Sequence, residues 1–589
     1  MCARRLPVLL AAALIGCGGG DPAPETPEPP QLHTPRWAFE PWISKDISDR
    51  ADTEAFVSGF EARDIPVGVL VLDSPWDTNY TEFRPNPSRY PGFGEMVSDL
   101  RGRGVRTVLW VTQMTNEESF DLESGGDTYL TPALSFLEAR RRGFLVNEGE
   151  TFFWWKGKGG AIDFFDPEAV EWWHGLQDEL LDLGVAGWKL DFGDSYVNVD
   201  TVRTDAGEVP HQAYSEAYYR DYWEHGASRL GTDEFVTMVR GYDKSYNFEG
   251  RFFARPEHAP VIWAGDNRRD WVGLADALDH MLRSAAAGYQ VVGSDIGGYL
   301  DRDDQHITQL VPADVVVFNR WTAIGALTPF MQLHGRANLT PWTVEERAEE
   351  TEANYRYWSW LHHAMIPLFY SLTEAAYAGG AGVLRPLGDE ADWPDDYRFM
   401  IGDALLVAPI LDATGVRDVP LPGGARWYDW WAPEAEPLDG GQVLMDVETA
   451  TIGRVPLYVK SGAIIPLDVE RDVIGVGRAA AAGHRTLLVY PDEAPSRFTI
   501  HEQAGPMVVE AAREGSGARV AWDTSELPVL LRVRAEAPPT VVRQDGATLT
   551  PGAAWSDLSG DRATYWVEGR HVWIRVPARA GPTEVVIEE

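Results

Sequence analysis

From residue 36 onward the chain repeats one pattern: a short apolar, β-branched run that closes on a polar residue, then an amphipathic helical stretch. Parallel βα units require that alternation, and neither an all-helical nor an all-antiparallel fold produces it. The runs are "PVGVLVLD" closing at Asp73, "VRTVLWVTQM" around Gln113, "AIDFF" with Asp163, "GWKLD" at Asp191, "EFVTMVR" at Arg240, "PVIWAGD" at Asp266, "QVVGSD" at Asp295 and "TPFMQLH" at His334. Eight runs is the count of an α/β (β/α)8 TIM barrel. A doubly wound open sheet also alternates, but no Gly-rich phosphate loop follows the first run. One intervening helix is fully punctuated: Asp166 as N-cap, Pro167 at the first helical position, Trp173, Leu176, Leu180 and Leu183 at helical spacing, and Gly184 to end it.

After the aromatic helix "YRYWSWLHHAMIPLFYSLTEAAYAGG" the pattern changes to short strands broken by Gly and Pro, such as "ALLVAPIL", "VPLYVKSGAIIPL" and "HVWIRVP". These predict antiparallel β-sandwich domains. A chain of 589 residues is too long for one core. The expected division is a barrel over 36–380, a proximal sandwich over 381–470 and a distal sandwich over 471–589.

Ahead of the barrel, "MCARRLPVLLAAALIGCGGG" has a basic start, about ten apolar residues and small residues before Cys17, the anatomy of a secretory signal too short to span a bilayer. Its "LIGC" ending resembles a bacterial lipobox, which implies a signal over 1–17, acylation at Cys17 and an exported protein anchored at the cell envelope; an ordinary signal cut nearby is the alternative. Cys2 would leave with the signal, so no disulfide could form in the mature chain. Residues 18–35 are Pro-rich and read as an extended tether.

A net charge of −39, with no cluster of Lys and Arg among aromatics, argues against a nucleic-acid partner. No metal-ligand spacing and no cofactor fingerprint stands out, so neither is expected. The pair His362–His363 lies in an aromatic helix, where packing is a better reading than metal ligation.

In a TIM barrel the residues that close the strands gather at one mouth. Any single acidic residue after a strand reads first as a helix cap or turn former. Several together, with aromatics and no cofactor motif, fit glycoside hydrolysis, which needs one ionised and one protonated carboxyl across the acetal carbon. Asp191 and Asp266, closing the fourth and sixth runs, are the natural pair.

At this point the strings resemble those of glycoside hydrolase family 31. "GWKLDFGDSY" looks like its nucleophile segment and "VIWAGDN" like its acid/base segment. "PWISKDIS", "RYPGFGEMVSDLRGRGVRTVLWV", "GSDIGGY", "NRWTAIGALTPFMQLHG" and "FMIGDALLVAPIL" follow in matching order, over about residues 36–470. The resemblance implies retaining cleavage of α-linked sugars, with Asp191 as nucleophile and Asp266 as acid then base. It also implies substrate contacts at Asp73, Arg240, Asp295 and His334. Trp188, Trp263 and Trp76 are candidates for apolar pocket walls, with packing beneath the mouth as the alternative. Asp194 could orient a substrate hydroxyl or the nucleophile loop, or be solvated.

Two departures from the family pattern stand out. No N-terminal β-sandwich precedes the barrel, so the pocket is either open or closed by the 115–160 insertion with Trp154, Trp155 and Lys156. Phe192-Gly193-Asp194 replaces the Met-Asn-Glu of α-glucosidase members and is nearer to the α-xylosidase and sulfoquinovosidase type, which leaves the sugar unnamed. An α-glucan lyase or transglycosylase on the same fold, and a silent sugar-binding lipoprotein, are the other readings.

Overall fold

The computed structural model describes residues 29–589 except 248, 303–308, 345, 450, 503–504 and 561. The signal segment with Cys2 and Cys17 therefore lies outside the described residues. Among those described, no helix is long and apolar enough to cross a membrane.

The first half is a closed parallel barrel of eight strands: Trp42–Lys45, Val69–Leu72, Arg106–Val111, Gly187–Leu190, Val236–Arg240, Val261–Trp263, a seventh in two pieces, and Gln332–Leu333. The seventh strand breaks at Ser294. Val292–Gly293 pairs with the sixth strand and Asp295–Ile296 with the eighth, while Trp42–Lys45 pairs with both the second and the eighth and closes the ring. At the break the Ser294 hydroxyl accepts from the Trp321 indole N–H at 2.9 Å.

The eight expected strands are thus not the eight observed. "AIDFF" is not a barrel strand: only its Ala161 is in a strand, Gly157–Ala161, which belongs to a separate sheet. Asp163 accepts from the amides of Phe165 and Asp205, away from the barrel mouth. The unrecognised first strand is Trp42–Lys45, four residues too short and too polar to show an alternating run. A β-branched run records extended backbone and burial but not which sheet it joins. The two errors cancel, so Asp191 and Asp266 do follow the fourth and sixth strands.

The fourth strand explains itself residue by residue. Gly187 is required by close approach, since a Cβ there would lie 2.1 Å from the Val236 carbonyl oxygen. Trp188 points outward, edge-on to Phe83 and Tyr222 beneath the helix His211–Leu230. Lys189 points inward. The helix Pro167–Leu181 starts as its punctuation predicts: Asp166 accepts from the Glu168 amide at 2.9 Å, and Trp173 and Leu180 are buried, although Leu183 is exposed.

Between the third and fourth strands the chain builds a three-stranded antiparallel sheet, Met114–Ser119, Gly157–Ala161 and Phe152–Trp154. Asn116 is its keystone, donating to the Asn79 and Lys156 carbonyls and accepting from the Trp154 indole at 2.8 Å. The "GKGG" string sits against a register shift, and a Cβ on Gly157 would meet the Glu118 carbonyl oxygen at 2.0 Å.

Beyond the long helix Ala348–Tyr377, strands from Leu384 to Lys460 form the proximal sheets, and strands from Ile464 to Glu588 form two distal sheets. Ile464–Leu467 pairs with Arg485–Val489, so the distal unit begins before residue 471. The distal sheets are antiparallel except where Arg485–Val489 runs parallel to Val529–Arg534. The last part of the expected tether is not extended in solvent: Thr34 is buried, with its hydroxyl 2.7 Å from the Pro260 carbonyl and 2.8 Å from the Tyr377 hydroxyl.

Candidate active site

The strand ends of the barrel and the insertion enclose a cavity of about 300 Å³. Asp73, Trp110, Lys189, Asp191, Phe192 and Asp266 line it from the barrel; Glu123, Trp155 and Lys156 line it from the insertion; Tyr246, Tyr299 and Arg336 come from later loops.

Asp191 sits where the fourth strand stops. One carboxylate oxygen accepts from the Trp110 indole N–H at 2.9 Å, the other from the Phe192 amide at 2.8 Å and from Arg240 Nη2 at 2.9 Å. Burial raises its proton affinity, but Arg240, Lys189 and these hydrogen bonds outweigh that and hold the carboxyl below the usual range. Asp266 shares the same Arg240 nitrogen, at 3.0 Å. Its burial dominates, and the nearby Asp191 charge adds to it against Arg240, pushing the group up to about 6. Two carboxyls with opposite shifts thus flank one guanidinium. Because both oxygens bond one nitrogen, these two oxygens are no more than about 6 Å apart, which the ~5–5.5 Å carboxyl separation of retaining glycosidases allows.

Arg240 is wholly buried, packed on the rings of Phe192 and Trp263. Trp263 also lies beneath Lys189, so it is the floor under the charges rather than a wall of the cavity. Trp188, facing outward, is not part of the pocket. Trp76 donates to the Trp110 carbonyl and packs near Phe93, behind the strands.

Deeper in, Lys189 Nζ lies 2.8 Å from Asp73 and 3.4 Å from His334 Nδ1. His334 Nε2 lies 2.8 Å from Asp46, and Nδ1 lies 3.3 Å from Asp295, which also accepts from Gln332. Burial and Lys189 oppose a proton on His334, but Asp46 and Asp295 prevail and raise it to about 10. Asp46, Asp73 and His334 do bring ligand atoms together. The Lys189 ammonium, 2.8 Å from Asp73, lies beside them and supplies positive charge there. Of the other two histidines considered, His362 is buried between the Ala326 and Phe39 carbonyls and His363 is bonded to Glu40.

Asp194 is not solvated. It is fully buried, accepting from Ser215 Oγ at 2.7 Å and pairing with Arg251, while its carbonyl lies 2.8 Å from His211 Nε2. It fastens the loop after Asp191 to the helix His211–Leu230.

The insertion closes the pocket. Trp155 stacks on Phe192 at 5.6 Å, and Glu123 meets Lys156 at 2.8 Å, Arg336 at 2.9 Å and the Tyr299 hydroxyl at 3.1 Å. Trp154 lies behind, stacked on Trp110.

Residues 31–372, more than half of the chain, match the sequence profile of the "Glycosyl hydrolases family 31 TIM-barrel domain", and residues 363–465 match the family's C-terminal domain. The chain belongs to glycoside hydrolase family 31. Curated relatives include alpha-glucosidase 2 of Bacillus thermoamyloliquefaciens, 26% identical over 79% of this chain and 56% of that protein. An alpha-xylosidase of Emericella nidulans is 24% identical over 74% and 54%. The chain spans about half the length of these relatives. Among solved structures, the cycloalternan-forming enzyme of Listeria monocytogenes superposes with a TM-score of 0.79 at 20% identity, over 95% of this chain and 55% of that one. The Flavobacterium johnsoniae GH31 dextranase gives 0.77 at 19%, over 95% and 71%. At such identities the structures establish the shared fold.

Sequence reasoning overlooked Asp46, Trp110, Glu123, Lys189 and Arg336. Lys189 had a signal, a charge at an inward position of an otherwise apolar strand. Glu123 and Arg336 had none, because only the folded insertion brings them together.

Proposed function

We propose that the protein is a retaining α-glycosidase that removes a neutral sugar from the end of its substrate, exported and held at the cell envelope by an acyl group on Cys17. The observation that carries the chemistry is the single Arg240 nitrogen bonded to two carboxyls whose proton affinities are driven apart. An ionised Asp191 attacks the anomeric carbon and forms the glycosyl ester. As the bond to the leaving oxygen breaks, Asp266 delivers its proton to that oxygen. In the second step Asp266 takes a proton from water, the water oxygen bonds to the anomeric carbon and Asp191 leaves, so the α-configuration is retained.

Neutrality of the sugar follows from charge. Among the described residues, the Lys and Arg side chains around the pocket are each ion-paired: Lys156 with Asp121 and Glu123, Arg336 with Glu123, Lys189 with Asp73, and Arg240 with Asp191, Asp243 and Asp266. A carboxylate or sulfonate on the sugar would meet an excess of fixed negative charge. Attack at a chain end follows from the insertion, which walls the pocket on the side of Glu123 and Trp155.

The test is a panel of aryl α-glycosides: glucoside, galactoside, xyloside and sulfoquinovoside. Turnover of at least one neutral member with retention, and none of the sulfoquinovoside, is the expected result. An unsaturated anhydro-sugar or a lengthened glycan as product would replace hydrolysis by elimination or transfer. Asp191→Ala and Asp266→Ala should each lower kcat by about 10³-fold or more. Azide should restore turnover of a substrate with a good leaving group in Asp266→Ala, since the intermediate then needs no base. Full activity in either variant overturns the assignment.

A further inference from the structure

Asp243 follows the fifth strand, three residues after Arg240, and is buried without lining the cavity. One of its oxygens is ion-paired with Arg240 Nη1, the guanidinium nitrogen that faces away from Asp191 and Asp266. The other accepts from the Ser245 amide at 2.8 Å and the Ser245 hydroxyl at 2.6 Å. The Ser245 oxygen in turn accepts the main-chain N–H of Asp266 at 3.0 Å. Gly265 makes the approach possible: its φ is +80°, and a Cβ there would lie 2.4 Å from the Asp243 carboxyl carbon.

We propose that Asp243 is a positioning residue for both catalytic carboxyls. It fixes the guanidinium that bridges them, it holds the main chain of Asp266 through Ser245, and it divides the charge of Arg240 among three carboxylates instead of two. The inference rests on the glycosidase reading of the site. Asp266 is faced by Arg240, Asp191, Lys189, Asp295, Tyr196 and Tyr246, and Asp243 by Arg240 and by His280, whose Nδ1 is 3.6 Å away. Neutralising Asp243 removes a negative charge from this set and returns the whole Arg240 charge to Asp191 and Asp266. Both effects favour the ionised form of Asp266.

The experiment compares the full chain with Asp243→Asn and Ser245→Ala. Asp243→Asn has one side-chain oxygen where Asp243 has two: with that oxygen kept on Ser245, an amide NH2 faces Arg240 Nη1, so the charge and the bond to Arg240 are lost together while Ser245 keeps its acceptor. Its alkaline limb in the pH dependence of kcat/KM should move down by about one pH unit. Ser245→Ala keeps every charge but frees the Asp266 amide. It should lower kcat about tenfold on a poor leaving group, leave KM and the alkaline limb in place, and spare a substrate that needs no acid assistance. An unmoved limb in folded Asp243→Asn, or an unchanged kcat in Ser245→Ala, overturns the proposal. Titration of carboxyl-13C-labelled Asp266 by NMR reads the same shift without substrate. If the parent protein turns over nothing, the function fails while the positioning claim is still decided, and an Asp266 titration identical in both proteins sinks it.

Discussion

Asp266 has to carry a proton when the glycosidic bond breaks and must have lost it when water attacks, whereas Asp191 has to be ionised throughout the attack. The two requirements set opposite limbs of the pH profile. Asp266, raised to about 6, loses the needed proton as pH rises, so kcat/KM is expected to fall through about pH 6 on the alkaline side. Asp191, held below its ordinary value, keeps its charge until pH drops beneath the usual carboxylate range, so the acid limb should lie low. A pH–rate series with an uncharged aryl glycoside checks both limbs, and an alkaline limb above pH 8 would contradict this account. At this scale the sequence was legible in bringing Asp73, Asp191 and Asp266 to one cavity, where residue type and strand position coincide, whereas Arg240, Asp295 and His334, expected as substrate contacts, are buried outside its lining. It failed for Trp188 and Trp263. An apolar ring next to a catalytic carboxylate reads the same facing out, as Trp188 does, or lying beneath the charges, as Trp263 does.

The 115–160 insertion is the element that gives the pocket its boundary. Its sheet is not a flap resting on the barrel. It is sewn in through Asn116 and carries Trp155 onto Phe192, and its loop carries Glu123 to Lys156, Arg336 and Tyr299. Glu123→Ala leaves Lys156 with Asp121 alone and removes the close partner of Arg336, leaving it Asp301 at 3.9 Å and the Tyr246 hydroxyl at 3.4 Å, so the wall loosens while the catalytic pair stays put. KM should rise about tenfold with kcat within about twofold, since binding is weakened equally in ground and transition states. Steady-state kinetics decide this, and a collapse of kcat with unchanged KM would refute it. The run "AIDFF" misled because a strand signal reports burial and backbone shape, while the partner is chosen by glycines such as Gly157 and Gly159 that admit a carbonyl of the facing strand.

Across the whole molecule the hydrophobic core does not stop at the end of the barrel. One cluster runs from the barrel through the helix Ala348–Tyr377 into Ile465, Leu467, Leu488 and Trp573 of the distal strands. A chain ended at residue 380 would uncover the outer face of that helix, and each large apolar side chain so exposed costs about 1.5–3 kcal/mol. Such a truncation is expected to lose cooperative unfolding and to bind a hydrophobic dye; a monomeric, sharply melting barrel would show the units to be independent. This dependence was not legible in the sequence, where the change from βα units to short strands reads as a clean domain boundary.

The contact of Thr34 with the Pro260 carbonyl has a bearing on how the molecule stands relative to its surroundings. Pro260 immediately precedes the sixth strand, so the polypeptide joins the barrel at the face opposite the pocket. With an acyl group on Cys17, as proposed, the point where the chain joins the barrel lies on the side away from the pocket. The barrel then stands with its opening turned away from the lipid, and a glycan arriving from the medium reaches Asp191 and Asp266 without first crossing the crowded membrane surface.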